Sequence, residues 1–205
     1  MARPRTYDET EVLAAARAVF HEHGYASTSV NDLCDATGLK KGSLYLAFGD
    51  KHALFVRSLR TYLEEFRSIA NDALTSGTDA IDGLRRWFDA ARSSDRSPSG
   101  ECHGCFAVNT LVELAPHDPE VMDLLGAHFA HAHRRMTDHI LAGQARGHVR
   151  RDLDAAATAT LVATVASGAM ARMRAPGAEP DVTAAIETLL ATLAPTSDAP
   201  ISGSR

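Results

Sequence analysis

The sequence predicts an all-α chain of about nine helices in two parts, a three-helix N-terminal domain joined to a larger helical body. Three observations carry this reading. Alanine and leucine abound, while aromatic residues make up only 6% of the 205 residues. No stretch alternates apolar and polar side chains with the two-residue period of a strand for more than a few positions. Apolar residues recur instead at three- and four-residue spacing between glycines, prolines and capping residues. A chain of this length buries a sizeable core, as one domain or as a small one plus a larger one.

The first helix is predicted from Tyr7 to His23, with Thr6 and Glu9 spaced as a capping box, Val12, Ala16, Val19 and Phe20 on one face, and Gly24 at its end. Thr28 is placed to cap a short helix carrying Val30, Leu33 and Cys34; Gly38 supplies a turn, and a second short helix runs from Lys41 to Phe48. Two short helices around a glycine turn make a helix-turn-helix. Asp50 then caps a long helix from Lys51 to Leu74, roughly 35 Å at 1.5 Å per residue, with Phe55, Leu59, Tyr62, Phe66 and Ile69 as its buried stripe.

After Ser76-Gly77 the pattern restarts with a helix through Ile81, Leu84, Trp87 and Phe88, followed by a Ser-, Pro- and Gly-rich loop from Ser93 to Gly100, expected to be mobile. Further helices are predicted at His103 to Leu114, Pro119 to Leu141, Ala155 to Met173 and Val182 to Leu193, separated by Pro116, Gly147 and Pro176-Gly177. The predicted units are 1–50, 51–195 and a disordered tail, 196–205.

The net charge of −5 excludes a protein that coats nucleic acid or anionic lipid by bulk electrostatics, so any such contact must rest on local placement of charge. The placement is uneven. All three lysines, Lys40, Lys41 and Lys51, lie in the first quarter of the chain, preceded by Arg3 and Arg5 in a short polar tail. The N-terminus lacks the apolar core of an export signal, and the uncharged run Ala155 to Ala171 is too short and too weakly apolar to span a bilayer, so a cytoplasmic location is expected. Three cysteines do not form a disulfide framework.

The run from Thr28-Ser29-Val30-Asn31-Asp32-Leu33 through Gly38-Leu39-Lys40-Lys41-Gly42-Ser43-Leu44-Tyr45 to Phe48-Gly49-Asp50-Lys51 closely resembles the signature of the TetR (tetracycline-repressor-like) family of transcriptional regulators. The resemblance covers roughly the first fifty residues and implies operator binding by a homodimer. Elementary chemistry agrees. A recognition helix enters the major groove N-terminus first, where its dipole and free N–H groups meet phosphates, and Lys40 and Lys41 sit at that end. Gly42 permits close backbone approach, Ser43 and Tyr45 offer hydroxyls, and Leu46 with Ala47 is suited to thymine methyl groups.

Thr28 and Lys51 begin flanking helices and are candidate phosphate clamps, and Arg3 and Arg5 are candidates for the minor groove. Leu33, Leu44 and Phe48 read as core, and Cys34 as buried packing. Two positions depart from the family pattern: Lys40 stands where a capping Ser or Thr is common, and Leu46-Ala47 replace residues that are often polar or aromatic. With seven acidic against six basic side chains through His52, binding is expected to depend strongly on salt.

A dimer surface is expected on the last two long helices, from Leu161, Val162 and Val165 with small neighbours and from Ile186, Leu189, Leu190 and Leu193; the alternative for these stripes is intradomain core. Cys105, Asn109 and Glu113 are spaced by four and are predicted to share one helix face. This segment resembles a TetR subgroup with Gly-Cys at the start of the sixth helix, some members of which respond to electrophiles or oxidants. Cys105 and Cys102 are therefore candidate thiol sensors, the alternative being that Cys105 merely fills space.

A non-covalent effector is expected among Phe66, Trp87, Phe88, Cys105, Asn109, Phe129, His133, Met136 and Met170, apolar groups with a few polar ones. Metal sensing through Cys102-His103-Gly104-Cys105 or through His128, His131 and His133 lacks a second CxxC, and no metal or other cofactor is assigned. No phosphate loop, nucleophile elbow or paired acid motif points to an enzyme. The expectation is a ligand- or redox-responsive regulator, a repressor released from a palindromic operator by a small molecule; a thiol- or metal-switched regulator without a ligand, and an activator, remain alternatives.

Overall fold

The computed structural model describes residues 7–94 and 102–195. Arg3, Arg5, the expected loop beyond Ser94 and the expected tail from residue 196 lie outside the described residues. Among the described residues there are nine α-helices and no strand.

Helix α1 (Glu9–His23) starts two residues later than predicted, because extended Asp8 places its carboxylate on the Thr10 N–H at 2.8 Å and so becomes the N-cap in place of Thr6. Helix α2 (Val30–Thr37) is capped by Ser29, whose hydroxyl and the Asp32 carboxylate exchange bonds with each other's backbone in a capping box. The expected cap, Thr28, is one residue too early: its hydroxyl donates to the Gly24 carbonyl at 2.6 Å, and the residue is 2% exposed. Helix α3 (Lys41–Phe48) has the predicted bounds. Helix α4 (Lys51–Thr75) starts where Asp50 accepts from the Ala53 N–H at 2.7 Å.

Helices α5 (Ala80–Ser94), α6 (Phe106–Glu113), α7 (Pro119–Ala145), α8 (Ala155–Arg172) and α9 (Glu179–Leu193) build the body, with a short 3-10 turn at Ala115–His117. Helix α6 begins three residues after the predicted His103. Gly104 takes φ +77°, a left-handed conformation outside a helix, so Cys105 is the extended N-cap and not a helical residue. Cys105 therefore does not continue the Asn109 and Glu113 face. Helix α9 starts earlier than Val182, with Pro180 in its first turn.

Two apolar cores result. The first joins Val12, Phe20, Leu33, Leu44 and Phe48 to the first half of α4, then to Phe106, Ala107, Ala115, Val121 and Leu125. The second joins Leu74, Leu84, Phe88, Met136 and Ile140 to the inner faces of α8 and α9. Each fully buried Phe or Leu contributes about 1.5–3 kcal/mol by area removed from water. The three-helix head is thus not closed on itself, since α6 and α7 complete its core. Phe66 and Cys105 are half-buried against both cores. Ile69, expected in the α4 stripe, is 43% exposed.

Val162, Ile186, Leu189, Leu190 and Leu193, expected at a dimer surface, are 8% exposed or less and belong to the second core. Periodicity identified their apolar faces but not the partner those faces meet, and within one chain they already pack on each other. Leu161 remains 48% exposed.

Candidate functional site

Helix α3 is divided lengthwise. Leu44 and Phe48 point into the core, while Lys40, Lys41, Gly42, Ser43, Tyr45 and Leu46 are exposed, Leu46 to 91%. These six are residues the sequence singled out, and the fold gathers them on one open face. Lys40 occupies the N-cap without a side-chain hydrogen bond, so the cap residue leaves the amides of the first turn unbonded by its own side chain. A Cβ at Gly42 would meet nothing within 4 Å, which leaves that face open to an approaching backbone or phosphate. Lys41 Nζ stands 5.9 Å from the Tyr45 ring centre.

Lys51, at the start of α4, is held in place. Its ammonium lies 4.3 Å from the Tyr25 ring centre; burial pushes its pKa down, against the pull of Glu113 and Asp32. Thr28 does not present its hydroxyl to solvent, and Ser29 takes the capping place expected of it. Arg17 to Glu65 and Arg57 to Glu9 tie α1 to α4, with the Arg57 guanidinium over Phe48.

Behind this face lies a seam that sequence reasoning missed. Both carboxylate oxygens of Glu113, the last residue of α6, accept from the turn after α1: from the Tyr25 N–H at 3.0 Å and the Ala26 N–H at 2.8 Å. The fit is tight, since a Cβ at Gly24 would stand 2.9 Å from a Glu113 oxygen, and Gly24 has φ +82°. His21 of α1 donates from Nε2 to the Gly104 carbonyl at 2.7 Å, and burial pushes its pKa down to about 4, so the ring is neutral at neutral pH. His52 meets Asp118 at 2.6 Å; burial would raise the Asp118 carboxyl, but the Val121 N–H and the His52 ring outweigh it and hold it below the usual range. The signal for Glu113 was its four-residue spacing from Asn109, but no local rule named its target 88 residues earlier in sequence.

The nine expected effector-lining residues divide between the cores. Phe88, Met136 and Met170 are buried in the second, Trp87 is half-buried beside it, and Phe129 is half-buried against the first. Phe66 stacks on Tyr62 and contacts the His128 ring at 6.2 Å. Asn109 donates to the His103 carbonyl at 2.8 Å, and His133 reaches the Ala156 carbonyl and Thr160 hydroxyl of α8 at 3.2 Å. Cys105 Sγ is 3.4 Å from the Tyr62 hydroxyl, and Cys102 packs half-buried on the second core.

Burial pushes His128 down to about 4, and the Nε2 atom of nearby His131 is buried without a hydrogen-bond partner. Among the described residues no three His, Cys, Asp or Glu side chains are placed to hold a metal ion, and no helix is long and apolar enough to cross a membrane.

Residues 12–57 match the model of the bacterial regulatory proteins, tetR family, and residues 80–189 match the tetracyclin repressor-like C-terminal domain. The chain belongs to the TetR family. This TetR-family chain is 31% identical over 176 residues to the HTH-type transcriptional repressor BdcR of Escherichia coli K12, covering 84% of the chain and 82% of the relative. It is 29% identical over 147 residues to the repressor ComR of the same strain, covering 72% and 70%. Among solved structures, a cysteine-substituted form of the TetR regulator CifR, complexed with 26-bp double-strand operator DNA, superposes with TM-score 0.81 at 27% identity, covering 94% of this chain and 100% of that one. These relatives are transcriptional regulators and not enzymes.

Proposed function

We propose that this TetR-family chain is a cytoplasmic transcriptional repressor that binds a palindromic operator as a homodimer and is released when its body takes up a small molecule. The observation that carries the DNA-binding reading is the open face of α3, where two lysines, a glycine, two hydroxyls and Leu46 stand clear of a fixed apolar side. Lys51 and the start of α2 flank it. Leu46, the most exposed large apolar residue among the described residues, reads thymine methyl groups.

Pairing uses the outer faces of α8 and α9. Ala157, Leu161, Thr164 and Gly168 on α8 and Ala184, Thr188 and Ala191 on α9 are exposed and small around one leucine. The Thr164 and Thr188 hydroxyls already donate to their own helices, so a partner meets methyl groups with little polar cost. In support of an effector in the body stands the buried, unpartnered His131 Nε2, a group that costs stability until a ligand or water bonds it. In support of a thiol trigger through Cys105 and Cys102, as in regulators with Gly-Cys before the sixth helix, stands the position of Cys105 against both cores.

The test is fluorescence anisotropy on duplexes from the DNA flanking the chain's own coding region, beside sedimentation of the same samples. Leu161→Glu is expected to give a folded monomer whose operator affinity falls at least about a hundredfold, since each head then binds alone. Binding by such a monomer at the affinity of the unsubstituted chain would refute the dimeric reading. Parallel assays with reductant, alkylator and chelator separate a thiol or metal trigger from a non-covalent one.

A further inference from the structure

A groove of about 400 Å³ opens at the seam, between the end of α1, the outer side of α6 and the end of α8. Its floor is apolar, from Phe20 and Phe106, both buried. At its rim Val112, 75% exposed, and Ala171 of α8 continue that surface.

The polar groups are unequally committed. Glu113 spends both oxygens on the Tyr25 and Ala26 N–H groups, and Glu22 at the edge faces His23 at 3.9 Å. His21 donates to the Gly104 carbonyl. Arg174 differs from them all. Its stem lies against Gly104, where a Cβ would stand 3.2 Å from two of its carbons, while its guanidinium has no ion pair or hydrogen bond among the described residues. The groove therefore offers one uncommitted cation next to an apolar wall. Its volume suits a small organic molecule, and a guanidinium binds a carboxylate through two parallel bonds.

We propose that this groove binds a monocarboxylate with an apolar body, its carboxylate on Arg174 and its apolar part on Val112 and Ala171 above Phe106. The site is distinct from the one marked by His131 in the body. Its walls come from both sides of the seam, so an occupant's affinity depends on how α1 sits against α6, and by linkage the occupant changes operator affinity by the same factor that operator changes the occupant's. That linkage rests on the operator reading; the binding itself does not.

Titration calorimetry of the full chain with octanoate, and with octan-1-ol as the uncharged control, tests it. Octanoate is expected to bind once per chain, and octan-1-ol at least about tenfold more weakly. Arg174→Gln and Val112→Glu are each expected to weaken octanoate about tenfold or more, with Arg174→Lys in between. Arg174 is exposed and Val112 lies at the rim, so unchanged thermal unfolding checks that the variants fold.

Equal binding of acid and alcohol, indifference to Arg174→Gln, or no heat at millimolar octanoate would overturn the proposal. Anisotropy on the operator with and without octanoate reads the linkage, with a change of about fivefold or more expected. Octanoate binding that survives in a chain indifferent to every duplex would sink the operator reading and leave the site standing.

Discussion

On α3, polar side chains stand in solvent around a helix whose other edge is shut into the core; at the seam and in the body three histidines lie largely under protein, with His21 and His128 held neutral and His131 Nε2 without a partner. The first arrangement is suited to a partner that brings its own charge, such as a phosphate backbone. The second suits groups that answer to small changes around them, because a buried polar atom is expensive to leave unsatisfied and dear to protonate. The proposed reading surface and the proposed responsive interior ask different things of a sequence.

Acid exposes the difference most strongly. His21 and His128 have pKa values near 4 in the folded chain against 6.5 when free, so the unfolded chain takes up their protons first as pH falls. Their contribution to stability is complete above 6.5 and is lost as pH drops toward 4. Near pH 5 the loss amounts to about 2 kcal/mol per imidazole. Chemical unfolding at a series of pH values is expected to show it, and His21→Gln or His128→Gln to flatten the curve; a flat profile in the unsubstituted chain would show that the interior does not hold these rings neutral.

The α3 face answers to salt. Replacing Lys40 and Lys41 by Ala is expected to weaken operator binding about ten- to thirtyfold and to lower the slope of log affinity against log salt by about two, with unfolding unchanged. An unaltered slope would move the contact away from this helix. Between the two regions, Glu113→Ala leaves the Tyr25 and Ala26 amides to water and is expected to cost about 1 kcal/mol in thermal unfolding, since these bonds are exposed and solvent replaces them in part. The smallest expected effect is Leu46→Asn, which shifts base preference away from thymine by less than about 1 kcal/mol per step, read by operator selection and sequencing. Identical preferences before and after would remove Leu46 from readout.

What could be read from the sequence follows the same division. The bounds of α3, the Asp50 cap and the Gly38 turn were legible because caps and turns are decided by residues within four positions of each other. The exposed set on α3 was legible because a helix of about two turns with two core residues leaves its other faces outward. Ser29 for Thr28 was a one-residue error, since either hydroxyl caps equally well until the Gly24 carbonyl claims one of them.

The α9 stripe was misassigned because an apolar face looks the same whether it meets its own chain or another. Glu113 and the neutral histidines were hidden for a further reason: what they do depends on groups far away in sequence and on depth below the surface. Cys105 left its predicted helix on account of a single left-handed glycine at 104.

Helix α4 is a stiff bar of 25 residues, about 37 Å at 1.5 Å per residue. Its first half is sunk in the head's core and Leu74 in the other. A swing of about 5° about one end carries the opposite end by about 3 Å at that length. In a symmetric pair the two displacements add, as the points of a pair of callipers part when its legs are nudged. Under the proposed function, a change too slight to disturb the packing of any one side chain near Leu74 would thereby be magnified into a misfit between two reading helices and a double helix of fixed pitch.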